Sequence, residues 1–72
     1  NPTKGRLRVD IHKESPIDNG FLEIFATTGK SVFKTTTILE SNQIDLSNQP
    51  QGIYVMRINV DGEITTWKII KE

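Results

Sequence analysis

Seventy-two residues, 25% of them charged, with nine basic against nine acidic side chains and no cysteine, make one small domain of zero formal net charge. That balance argues against nucleic acid as a partner, and the missing cysteines exclude a disulfide framework or a thiolate metal site. No apolar run approaches the roughly 20 residues that span a bilayer, and the start carries no signal-peptide pattern.

The chain begins at Asn1 rather than Met and is read as a piece, residues 1–72, of a longer protein. Asn1-Pro2-Thr3-Lys4-Gly5 is a turn-forming entry, with φ fixed at Pro2 and a permissive position at Gly5. Arg6 to His12 alternates strictly, which puts Leu7, Val9 and Ile11 on the dry face of a half-buried strand. Lys13 to Gly20 is a loop ending in the turn dipeptide Asn19-Gly20. Phe21 to Ala26 is the second strand, with Leu22, Ile24 and Ala26 on one face. Thr27-Thr28-Gly29-Lys30 is a hairpin loop, and Ser31 to Thr35 returns as a third strand that Thr35 to Leu39 could extend.

Gln43 to Leu46 is a short strand with Ile44 and Leu46 inward, followed by a polar turn in which Pro50 forbids a central strand. Gln51 to Val60 is the longest run of strand formers, with Tyr54, Met56, Ile58 and Val60 on one face. Asp61-Gly62 is the pair that a two-residue type I′ turn prefers, so Glu63 to Ile70 should fold straight back antiparallel. In that last strand Trp67 and Ile69 form one apolar face and Ile64 and Ile70 the other; Trp67 and Ile69 are expected inward. No window shows helical periodicity. The fold class is all-β: a small antiparallel sandwich of six to seven strands without a helix.

The residues offer little chemistry. His12 is the only imidazole, beside Lys13-Glu14 on a polar face, and is read as a solvated surface group. With no cysteine and one histidine, a zinc or copper site lacks donors. Asp10, Asp18, Asp45 and Asp61 are scattered, without the dense loop that calcium needs. The Ser and Thr hydroxyls have no adjacent base, so neither catalysis nor a cofactor is expected. Trp67 and Tyr54 could stack on sugar rings, which leaves a carbohydrate-binding or cell-surface interaction module as the alternative to core or rim positions.

Several stretches together resemble the type A C-terminal sorting domain of type IX secretion cargo. They are Asn1-Pro2-Thr3-Lys4-Gly5, then Leu22 to Val32 with its Gly29-Lys30 return, then Ile44-Asp45-Leu46-Ser47 with Gly52-Ile53-Tyr54, and finally Lys68-Ile69-Ile70-Lys71. Gln49 stands where an apolar residue commonly precedes the Pro-x-Gly turn, and Glu72 adds an acid after the closing lysine. The resemblance implies a seven-stranded Ig-like sandwich acting as a non-catalytic address label for an upstream cargo. It implies passage through the periplasm of a Gram-negative bacterium to the cell surface or beyond. The implied partners are an outer-membrane shuttle protein and a sortase that removes the label and couples the cargo to lipopolysaccharide.

By the same resemblance, recognition is expected at Pro2, Gly5, Gly52, Tyr54, Lys68, Ile69, Ile70 and Lys71 of a monomer. Lys68 and Lys71 are expected to point outward from a last strand lying near a sheet edge.

Overall fold

The computed structural model describes residues 2–12 and 19–72, so Asn1 and the expected loop over 13–18 lie outside the described residues. The strands are β1 (Pro2–Thr3), β2 (Arg6–Asp10), β3 (Gly20–Ala26), β4 (Ser31–Thr35), β5 (Ser41–Asp45), β6 (Gly52–Val60) and β7 (Glu63–Lys71). There is no helix among the described residues. A five-stranded sheet in the order β1-β7-β6-β3-β4 faces a two-stranded sheet of β2 and β5. The all-β sandwich expected from the period-two pattern is the fold.

The β6–β7 hairpin is its spine. The pairing runs from Val60 opposite Glu63 to Gly52 opposite Lys71. Asp61 (φ 50°) and Gly62 (φ 92°) supply the paired positive φ of a type I′ turn. β6 also pairs with β3 along its length, from Gly20 opposite Val60 to Ala26 opposite Tyr54. β6 is therefore hydrogen-bonded on both edges, which suits its run of β-branched and long apolar residues.

The core is the inward set of alternating residues from both sheets: Leu22, Ile24, Tyr54, Met56, Ile58 and Ile69 below, Ile44 and Leu46 above. Leu7, Val9 and Ile11 pack against it partly buried, as does Val32. Among the described residues one polar side chain, Asn42, is buried with them. Its amide accepts from the Leu39 N–H (2.9 Å) and donates to the Leu39 and Val9 carbonyls (2.8 and 3.2 Å). Those bonds offset its desolvation and fix the path of the chain into β5.

The structure departs from the sequence reading in several places. Pro2–Thr3 is not only a turn-forming entry: it is a short strand parallel to the end of β7, with Pro2 beside Ile70 and Thr3 beside Lys71. The last residues of β7 are thus covered rather than left at an edge. β4 stops at Thr35 because the Thr35 hydroxyl accepts the Thr37 N–H (3.1 Å), a local bond that competes with the ladder. Trp67 shares the inward-facing side with Ile69 yet remains 50% exposed, against 2% for Ile69. The two-stranded sheet is too narrow to cover β7 before Ile69, so Thr65 and Trp67 on the inward-facing side are exposed like the outward residues Ile64, Thr66 and Lys68.

Candidate functional site

The stretches that carried the resemblance come together at one end of the sandwich. Gly5 ends the turn after β1, and its carbonyl accepts the Leu46 N–H. Gly5 has φ +133°, and a Cβ there would lie 2.8 Å from Ser47 Cα. Only glycine fits both the dihedral and the gap. The entry turn is thereby packed directly on the segment that leaves β5.

That segment is held from two more directions. The Asp45 carboxylate accepts the Ser47 N–H at 2.8 Å, forming an Asx-type turn. The side-chain and main-chain hydrogen bonds from Ser47 hold the Asp45 carboxyl below its usual value, with smaller help from Arg6 and Lys71. From β7, the Lys71 ammonium donates to the Ser47 carbonyl at 3.1 Å and to the Gln49 carbonyl. These are main-chain acceptors, so the departure at Gln49 leaves the brace intact.

Tyr54 closes the same end from inside. Its ring is buried, and its hydroxyl donates to the Pro50 carbonyl at 2.6 Å. It sits opposite Ile69, and two residues earlier Gly52 sits opposite Lys71. Gly52 has φ +149°, outside the range an L side chain adopts easily, although a Cβ there would meet nothing within 4 Å.

The expected recognition residues therefore fall into two groups. Gly5, Tyr54 and Ile69 are buried, and Lys71 is half-buried and engaged. Gly52, Lys68 and Ile70 are at the surface. The expectation that both closing lysines point outward holds for Lys68 alone, since Lys71 turns to the Ser47–Gln49 turn. Pro2 is placed by its backbone beside Ile70.

The outer face of the five-stranded sheet adds residues that motif reading passed over. Ile53, 44% exposed, pairs with Ile70, 37% exposed; Val55 pairs with Lys68 on β7 and with Phe25 on β3. Together they form an apolar outer surface with one ammonium at its side, directly over the buried motif residues. The signal was present in the alternation of Ile53 and Val55 against Tyr54 and Met56. Period two places Ile53 and Val55 on that face ahead of Arg57 and Asn59, but nothing local shows that Ile70 and Phe25 join them there.

Tyr54 is unavailable for stacking on a sugar, and Trp67 alone of that pair reaches the surface. Among the described residues, no group of three or more His, Cys, Asp or Glu side chains could hold a metal ion. Among the described residues there is no helix long and apolar enough to cross a membrane.

Comparison with known proteins gives one assignment. The family model described as the secretion system C-terminal sorting domain matches residues 1–72, the whole chain. No curated protein matches it.

Proposed function

Because the chain belongs to the type IX secretion C-terminal sorting domains, we propose that it is a non-catalytic label, read as a folded unit, that directs an upstream cargo across the outer membrane. Export to the cell surface or the extracellular space, in contact with the type IX machinery, is what membership implies. The finer course is our reading. Residues 1–72 form a single domain that folds in the periplasm, engages an outer-membrane shuttle protein, and is then removed by a sortase-type peptidase as the cargo is anchored to lipopolysaccharide.

The observation that supports a folded label is the convergence of hydrogen bonds involving Gly5, Asp45, Tyr54 and Lys71 on the segment from Leu46 to Pro50. In this reading Gly5, Tyr54, Ile69 and Lys71 build the end of the sandwich. Gly52, Lys68 and Ile70, with Ile53 and Val55 beside them, present it to the machinery, and Pro2 aligns the last strand. The test is to remove residues 1–72 from the protein that carries them. The remainder should accumulate in the periplasm; continued export would overturn the reading.

A further inference from the structure

Among the described residues β2 pairs only with β5, and these residues leave a position open on its other side. The bonds Leu46 N–H to Gly5 O and Ile11 N–H to Glu40 O share the β2–β5 register, so the odd-numbered residues of β2 face β5. Arg8 and Asp10 consequently turn their main-chain N–H and C=O groups toward the open side. A groove of about 440 Å³ runs along that side. Its walls include β2 from Arg8 to His12, and its floor is the inner face of β6 and β7, including Ile58, Thr65 and Trp67.

We infer that this groove is an acceptor for one extended, amphipathic peptide segment of another protein, which adds to β2 as the third strand of the short sheet. The floor asks for apolar side chains at alternate positions, where they would cover the exposed half of Trp67. The rim asks for opposite charge across the strand pair: an acid facing Arg8 and a base facing Asp10. These two side chains now pair with each other at 3.3 Å, both at the surface.

A second copy of this domain does not fit the position. Two copies joined through β2 would be related by a two-fold axis. Because β7 lies beneath the open position of one copy, the second copy's β7 would lie beneath the first copy's β2, where Met56 and Ile58 are already packed. A lone strand brings no second sheet and has no such clash. The inference stands apart from the export reading, because it rests on the groove and the β2 edge alone.

Trp67 is the only tryptophan in the chain, so its emission reports the groove directly. The probe is the synthetic peptide acetyl-Val-Lys-Val-Glu-Val-amide, which in antiparallel register places its Lys opposite Asp10 and its Glu opposite Arg8. Titrated into the 72-residue chain, it should shift Trp67 emission to shorter wavelength and saturate. A peptide methylated on the Lys and Glu amide nitrogens loses the donors that meet β2 and should bind about tenfold more weakly or worse. Thr65→Tyr fills the groove from an exposed position, so it should leave the melting temperature in place and abolish the shift. The proposal is overturned by the absence of a saturable shift, by equal binding of the methylated peptide, or by undiminished binding to the folded Thr65→Tyr variant. Concentration-dependent dimerisation that the peptide reverses would overturn it too, by making a second copy the occupant.

Discussion

The Lys71 ammonium donates a 3.1 Å hydrogen bond to the Ser47 carbonyl, tying the end of the last strand to the turn that follows β5, 24 positions earlier in the chain. Lys68, three residues before it, is exposed and makes no ion pair among the described residues. Two lysines that look equivalent in the sequence thus do different things.

The difference is measurable. Lys71→Met keeps most of the aliphatic stem and removes the charged donor to the turn, so it should lower unfolding free energy by about 1–2 kcal/mol. Lys68→Met should change it by less than about 0.5 kcal/mol. Urea unfolding of the two variants beside wild type checks the pair. Equal effects would mean that the Lys71 brace contributes nothing.

Gly5→Ala places a Cβ against Ser47 at an unfavourable φ. Gly52→Ala carries the dihedral penalty without a clash. Each strained dihedral costs on the order of 1–3 kcal/mol, and Gly5→Ala should cost more because Ser47 must also move. Thermal melting should therefore rank wild type above Gly52→Ala, and Gly52→Ala above Gly5→Ala.

The lowered pKa of Asp45 gives a pH dependence with a definite sign. A carboxylate held below its unfolded value of 3.8 stabilises the fold fully above that pH, and the contribution is lost as pH falls through the lower folded value. Asp45→Asn should therefore lie below wild type in melting temperature near neutrality, and the gap should close in acid below the usual carboxylate range. A gap that is constant from pH 7 to roughly pH 2 would show that the Asp45 charge has no part in it.

Strand order along the chain was legible because alternation and turn dipeptides are local signals. Asp61-Gly62 alone determined the β6–β7 register, and Leu22, Ile24, Ile44 and Met56 were legible as core from period two. The pairing of Pro2–Thr3 with Ile70–Lys71 was not, because two extended residues carry no pattern and their partner lies at the far end of the chain. Trp67 misled for another reason. Its face was read correctly, but coverage depends on the width of the opposite sheet, which no local pattern encodes. At the candidate site, Gly5, Gly52 and Tyr54 were legible from their motifs. The engaged state of Lys71 was not, since its acceptors are main-chain carbonyls that any sequence supplies.

Burial separates Tyr54 from Trp67. Tyr54→Ala removes a buried ring and should cost about 3–5 kcal/mol, by analogy with Phe→Ala, while Tyr54→Phe removes only the bond to Pro50 and should cost about 1 kcal/mol. Trp67→Ala acts on a half-exposed side chain and should cost less than Tyr54→Ala. Calorimetry on the three variants would reject the assigned core if Trp67→Ala proved the most damaging.

In the proposed function, residues 1–72 are exported as a folded label read at its outer surface. The most direct measurement is the extracellular fraction of a periplasm-targeted fluorescent protein carrying residues 1–72 at its C-terminus, in a host with the type IX system. Wild type should leave the cell. Tyr54→Ala should stay in the periplasm because the label unfolds. Ile70→Glu places a charge on the exposed apolar face, so it should melt near wild type and yet be retained. Retention of the wild-type fusion in the periplasm would contradict the sorting role, and export of Ile70→Glu at the wild-type level would contradict the outer surface as the part that is read.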